Sequence, residues 1–211
     1  ANDRPPVDTL VFGVAAALAL VFVLYGALNS KGFAKSGGAI LTWITSNVGW
    51  FFVLSSAGFV IFSVILAVTR YGNIKLGPDD STPEFSTFSW VSMMFATGMG
   101  IGLMFYGVAE PLTHLNTPPM GMAEPGSDEA AHLAMEYTFF HWGFHPWAMY
   151  AVIGLAIAYF AYRKGYGNLI SAAFRPLLGA RADGPTGRAI DIVAILATLF
   201  GSATSLGLGA L

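Results

Sequence analysis

The chain of 211 residues is 55% hydrophobic and only 10% charged, and its mean hydropathy is +0.63. Soluble domains carry roughly 25% charged residues, so this composition predicts a protein that crosses a membrane several times. The chain contains no cysteine, which excludes disulfides, thiolate metal sites and cysteine nucleophiles within it.

Five apolar runs follow one another along the chain. The first has about 20 residues, the length that crosses ~30 Å of hydrocarbon, whereas the second is longer and should tilt or protrude. We expect membrane spans at about residues 9–28, 39–69, 85–109, 137–162 and 190–211, and a short amphipathic helix at about 169–178. Because the fifth run ends at Leu211 without a flanking charge, we expect the chain to be the first part of a longer protein.

The loops between these runs differ in charge. The segment Glu110–Glu136 has five acidic residues and no lysine or arginine, whereas the loop from Arg163 to Arg188 carries five basic residues. If the N-terminus is cytoplasmic, eight of the ten Lys and Arg residues fall on the cytoplasmic side, as the positive-inside rule favours. We therefore expect a multi-pass protein of the inner cell membrane with its N-terminus in the cytoplasm.

The third run contains three glycines at alternate positions, Gly98, Gly100 and Gly102. Each glycine costs a helix about 1 kcal/mol relative to alanine, so the helix is expected to unwind here. Unwound backbone within a membrane is tolerated only where it lines a protein-buried or water-filled cavity, and such breaks often carry a substrate site. The alternative is close helix packing, because Gly98 and Gly102 also fit the GxxxG spacing.

Aromatic residues gather at the start of the fourth run, where Trp142, Trp147 and Tyr150 accompany Pro146. Several aromatic faces together attract a quaternary ammonium group by cation–π interaction. Pro146 is expected to kink the helix and re-aim Trp142. The alternative is an aromatic belt at the membrane interface. His141 and His145, one helical turn apart, lack a nearby third ligand and are interpreted as polar packing residues rather than a metal site.

The fifth run carries hydroxyl side chains on one helical face, at Thr198, Ser202 and Ser205. Hydroxyl oxygens are hard ligands that suit sodium. The alternative is that they bond back to carbonyls of their own helix or to a neighbouring helix. The sequence offers no nucleophile with its base, no phosphate loop and no basic nucleic-acid patch. We therefore expect neither an enzyme nor a nucleic-acid-binding protein, and no cofactor other than coupling ions.

Three long motifs resemble the betaine/carnitine/choline transporter (BCCT) family. FSTFSWVSMMFATGMGIGLMFYGVAEPL is similar to the family's glycine-rich third span, HWGFHPWAMYAVIGLAIAY to its fourth span and ATLFGSATSLGLGAL to its fifth. The likeness is greatest to the sodium-coupled glycine betaine type. Family members have twelve spans, so the chain resembles the first five.

The resemblance implies a LeuT-type inverted-repeat fold preceded by two extra helices. The chain would then hold the two leading helices and the first three helices of repeat one. The implied site residues fall into three groups: a substrate-contacting run at Gly98, Met99, Gly100, Ile101 and Gly102; an aromatic box of Trp142, Trp147 and Tyr150; and sodium ligands at Ala96 and Met99 for one ion and at Thr198 and Ser202 for a second. Ser205 is a further candidate sodium ligand.

The resemblance also implies a function. It is the sodium-coupled symport of glycine betaine or a similar trimethylammonium zwitterion by alternating access, for osmoprotectant uptake, in a homotrimer surrounded by lipids. Choline-type relatives carry an aspartate in the glycine run, whereas the run here is uncharged, and a zwitterion needs no costly intramembrane counter-charge. The alternatives are sodium-independent carnitine/betaine exchange, proton-coupled choline transport, or a non-transporting membrane scaffold or ligand-sensing subunit.

Overall fold

The structure is a computed structural model that describes residues 7–98 and 100–210, except for the side chain of Ile101. Within these residues it contains helices and no strand. The helices in chain order are α1 (Thr9–Leu28), α2 (Ser30–Val68), α3 (Thr87–Gly98), α4 (Ile101–Asn116), α5 (Asp128–Trp142), α6 (Phe144–Ala158), α7 (Ile170–Ala173), α8 (Arg175–Leu178) and α9 (Pro185–Gly209).

Several of these helices have the length and apolar composition of membrane spans. In the described part of the chain, the stretches Thr9–Leu28, Ser30–Val68, Asp128–Arg163 and Pro185–Gly209 qualify. Helices α3 and α4 qualify together if they are counted as one broken span, which gives up to five. The described part of the chain is therefore all-α, with helices suited to a membrane.

Two helices extend into segments that the sequence predicted as loops. Helix α2 begins at Ser30, directly after α1, because the Asn29 side chain accepts a hydrogen bond from the Gly32 backbone N–H at 3.0 Å. Helix α4 continues to Asn116 instead of ending near residue 109, so Glu110 lies inside a helix. The polar residues at both places suggested loops, whereas a local cap at Asn29 and the distant partners His141 and Trp142 of Glu110 allow the helices to include them.

The chain divides into two compact units, of which the first comprises Ala1–Ser55 and Leu155–Gly201. In this unit Phe22 of α1 packs against Phe33 of α2 and Phe200 of α9, with ring centroids 4.8 and 4.4 Å apart. Arg188 donates a hydrogen bond from Nε to Asp8 at 2.8 Å. The Val11 backbone N–H and the Arg188 guanidinium hold the pKa of Asp8 below its ordinary value, so this contact is ionised at neutral pH.

The loop before α9 forms two short turns, α7 and α8, in place of the single amphipathic helix predicted at 169–178. Pro176 explains the interruption, because it has no N–H to donate to the carbonyl of Ala172. Asp191 ties the loop to α9: its buried carboxylate accepts hydrogen bonds from the Ser171 backbone N–H at 3.0 Å and from the Ser171 hydroxyl at 2.8 Å.

The second unit comprises Ser56–Gly154 and Ser202–Leu211. Helices α4 and α5 pack together in it as an antiparallel pair. The connection between them is closed by a hydrogen bond from the Gly126 N–H to the Leu115 carbonyl at 2.9 Å. Ser127 caps α5 by accepting a hydrogen bond from the Ala130 N–H at 3.1 Å, and Asp128 and Glu129 fill the first turn, where the helix dipole favours acids. This pair carries the candidate site.

Candidate functional site

The membrane helix formed by α3 and α4 is interrupted within the glycine run. Helix α3 ends at Gly98, and Gly100 is extended, with φ −80° and ψ 176°, as the cap of α4. The helical segments on the two sides, Thr87–Gly98 and Gly102–Gly121, are inclined by 49°. Of the five predicted substrate-contacting residues here, Gly98, Gly100 and Gly102 are described. Met99 and the side chain of Ile101 lie outside the described residues.

Two of these glycines lie directly against tryptophan rings. A β-carbon built on Gly98 would stand 2.9 Å from Cη2 of Trp147, closer than real side chains approach each other. A β-carbon on Gly102 would stand 3.5 Å from Cη2 of Trp142, an ordinary van der Waals contact. Within this unit, the lack of side chains at Gly98 and Gly102 therefore leaves room for the two indole rings on one side of the broken helix.

The fourth predicted span breaks at Gly143, and not at Pro146 as the sequence suggested. Gly143 has φ −90° and ψ −132°, and a β-carbon there would lie 2.3 Å from the Phe139 carbonyl oxygen, so only glycine fits. Pro146 lies in the first turn of α6, where a missing N–H is tolerated.

Pro146 nevertheless has a role in orienting Trp147. In a continuous helix the N–H of residue 146 would bond to the carbonyl of Trp142, but proline has none. The Trp147 indole N–H donates to that carbonyl instead, at 3.1 Å. The bond joins the two tryptophans and holds the Trp147 ring against Gly98.

Tyr150 completes the aromatic group predicted from the sequence. Its ring centroid lies 5.8 Å from that of Trp147, and the two planes are inclined by 37°. Trp147 is 45% exposed and Tyr150 is 72% exposed in this chain, so both rings have open faces. A half-open aromatic surface beside a broken helix can receive a quaternary ammonium group.

Glu110 was missed by sequence reasoning, which assigned it to the acidic loop. Its side chain is buried, and its carboxylate accepts a hydrogen bond from the Trp142 indole N–H at 2.6 Å. Nδ1 of His141 lies 2.8 and 2.9 Å from its two oxygens, and Nε2 of His114 lies 3.5 Å away. One signal was available: Gly102, Tyr106 and Glu110 recur every four residues, which places them on one helical face.

The two histidines that the sequence raised as a metal pair have separate surroundings. His141 contacts Glu110, whereas the His145 ring packs against Phe140 with centroids 4.3 Å apart.

Of the predicted sodium ligands, Ala96 lies on α3 and Thr198, Ser202 and Ser205 lie on α9, whereas Met99 lies outside the described residues. Ala96 is in the last turn of α3, where carbonyls lack donors within the helix. Thr198 donates its hydroxyl to the Ala194 carbonyl at 2.9 Å, which is the back-bonding that the sequence left as an alternative. A hydroxyl that donates keeps its lone pairs for an ion, so this bond is compatible with either role. Ser202 and Ser205 follow on α9, and both are exposed.

Comparisons with known proteins all match this chain to membrane transporters of one family. Residues 10–211 match a family model described as BCCT, betaine/carnitine/choline family transporter. The chain is 52% identical to a "Probable glycine betaine transporter" of Desulfitobacterium hafniense (strain Y51), over 94% of this chain and 40% of the relative. It is 44% identical to the betaine/ectoine transporter LcoP of Corynebacterium glutamicum, over 97% of this chain and 32% of the relative.

A third relative is the high-affinity choline transport protein of Escherichia coli (strain K12). It is 41% identical over 99% of this chain and 30% of its own length. The chain thus spans between 30% and 40% of the length of these three relatives.

Proposed function

We propose, on the premise that this chain belongs to the betaine/carnitine/choline transporter family, that it contributes to the secondary active transport of a trimethylammonium zwitterion such as glycine betaine. The observation that carries the proposal is the contact of the Trp142 and Trp147 rings with Gly102 and Gly98 at the helix break.

The two ends of a betaine match two features of this break. Its trimethylammonium group would lie against the aromatic rings, whose faces attract cations without requiring a charged residue. Its carboxylate would lie at the start of α4, because the first N–H groups of a helix lack internal acceptors and carry the positive end of the helix dipole. The broken helix of a transporter commonly presents such an end to an anionic group.

The charges near the break favour a zwitterion over choline. Positions 98–102 carry no acid. Glu110 is the nearby carboxylate, and it is already engaged by the Trp142 indole and two histidine rings, so it is not a free counter-ion for a cation. A cation such as choline would enter without a compensating charge, which is costly inside a membrane.

The proposal extends to coupling and architecture. Sodium would bind at the carbonyls of Ala96 and Met99 and, as a second ion, at the hydroxyls of Thr198 and Ser202. The broken α3–α4 helix supports a LeuT-type inverted repeat that alternates access, because such folds use discontinuous helices at their sites. We further propose a homotrimer in the inner cell membrane with a cytoplasmic N-terminus and osmoprotectant uptake as its role.

The test is uptake of labelled glycine betaine by the complete protein in liposomes. We expect uptake with an inward sodium gradient and little uptake when potassium replaces sodium. Uptake that is indifferent to sodium would overturn the coupling and point to exchange of one substrate for another. Absence of uptake under all gradients, with folded protein in the membrane, would favour a non-transporting scaffold or sensing subunit.

A further inference from the structure

We propose that Glu110 is a positioning residue that fixes the Trp142 indole plane and thereby shapes the substrate surface. The inference rests on the proposed function for its consequence in transport, because it takes Trp142 to be part of the betaine site. The structural part, that the Glu110 carboxylate sets the orientation of Trp142, stands on the geometry of this unit alone.

One face of α4 holds the indole along its length. Gly102, Tyr106 and Glu110 are spaced by four residues, so their side chains lie in one row. The far edge of the Trp142 ring meets Gly102 and the ring stacks on Tyr106, with centroids 6.0 Å apart and planes inclined by 29°. The indole N–H donates a hydrogen bond to the Glu110 carboxylate at 2.6 Å. Glycine gives the ring room, tyrosine supports its face, and the carboxylate determines its rotation.

The carboxylate is itself well fixed. Glu110 is only 8% exposed, and nitrogen atoms of His141 and His114 approach it from two helices. A hydrogen bond to a charged, buried partner is stronger than one between neutral groups, so the indole has one preferred rotation. The Trp147 ring is held separately, because its indole N–H donates to the backbone carbonyl of Trp142. Loss of the Glu110 carboxylate would therefore release the Trp142 ring.

The transport test is a double-mutant cycle on the complete protein in liposomes. Glu110→Ala should raise KM for glycine betaine about tenfold with little change in kcat, since a charged hydrogen bond that orients the site is lost. Trp142→Phe keeps an aromatic face but has no N–H. In that background Glu110→Ala should change KM by less than about twofold. Equal effects of Glu110→Ala in both backgrounds would overturn the positioning role and leave a structural one.

Two further variants calibrate the cycle. Glu110→Gln keeps an acceptor oxygen and should restore part of the affinity, with KM raised only about threefold. Asn116→Ala removes a different polar side chain of α4, one that donates to the Leu112 carbonyl at 2.8 Å, and its KM should stay within about twofold of wild type. Failure of glutamine to improve on alanine would count against an acceptor role.

A second readout does not depend on the substrate. In the full-length protein labelled with ¹⁵N-tryptophan, the Trp142 indole N–H signal is assigned by its loss in Trp142→Phe. In the wild-type protein we expect this signal at a downfield chemical shift and with slow exchange with solvent. In Glu110→Ala the signal should move upfield and exchange faster. An unchanged signal in Glu110→Ala would overturn the proposal. Changed signals in a protein that does not transport betaine would support the positioning and reject the proposed function.

Discussion

At the scale of single residues, the contact between Gly98 and Trp147 leaves no room for a side chain. We predict that Gly98→Ala raises KM for glycine betaine about tenfold, because its β-carbon would displace the Trp147 ring from a 2.9 Å approach. Uptake kinetics measured in liposomes check this. Gly107→Ala on α4 is the matched control, since nothing lies within 4 Å of its added carbon. Equal KM values for the two variants would show that the contact is unimportant for binding.

The sequence around Glu110 also explains why its place in the site was not predicted. An acid that follows an apolar run and opens a proline-containing acidic segment is normally a loop residue. Its burial depends on His141 and Trp142, which lie 31 and 32 positions later in the chain. No local pattern reports such a partnership. The four-residue spacing of Gly102, Tyr106 and Glu110 indicates a shared face only after α4 is known to continue past residue 109.

At the scale of helices, Gly143 and Pro146 have different roles at the junction of α5 and α6. Gly143 makes the break, which leaves the Trp142 carbonyl without a helical donor, and Pro146 offers no N–H that would compete with the Trp147 indole for it. From one proline beside two tryptophans, the sequence predicted a kink at Pro146, whereas the helix is interrupted at Gly143. The sequence did not identify the interrupting residue, because that depends on the backbone angles of Gly143.

We predict that Pro146→Ala weakens betaine binding about threefold to tenfold, because the new backbone N–H competes with the Trp147 indole for the Trp142 carbonyl. Tryptophan fluorescence titration with glycine betaine measures the affinity. Pro176→Ala is the control: it also restores an N–H in the first turn of a helix, α8, but at a distance in sequence from any tryptophan. If both variants bind like wild type, the freed carbonyl has no part in recognition.

The break in the glycine run was the most predictable of these features, and the helix ends were the least. Three glycines in five residues lower helix stability wherever they stand, so the interruption after Gly98 follows from local energetics. The ends of α2 and α4 depend instead on a cap at Asn29 and on burial of Glu110. Those features come from side-chain geometry and tertiary contacts, which composition does not contain.

At the scale of the whole molecule, the chain spans 30% to 40% of the three relatives compared. Trp142, Trp147 and the broken helix nevertheless form one continuous surface within one unit. Under the proposed function, the rings would recognise the positive charge of the ligand and not only its shape.

The most direct test compares glycine betaine with 3,3-dimethylbutanoate, which has the same shape and carboxylate but carbon in place of the quaternary nitrogen. Isothermal titration calorimetry on the complete protein measures both affinities. Recognition by aromatic faces predicts that glycine betaine binds about tenfold or more tightly, because a desolvated cation–π contact contributes about 2 kcal/mol. Equal affinities for the two ligands would contradict the assignment of Trp142 and Trp147 to a quaternary ammonium site.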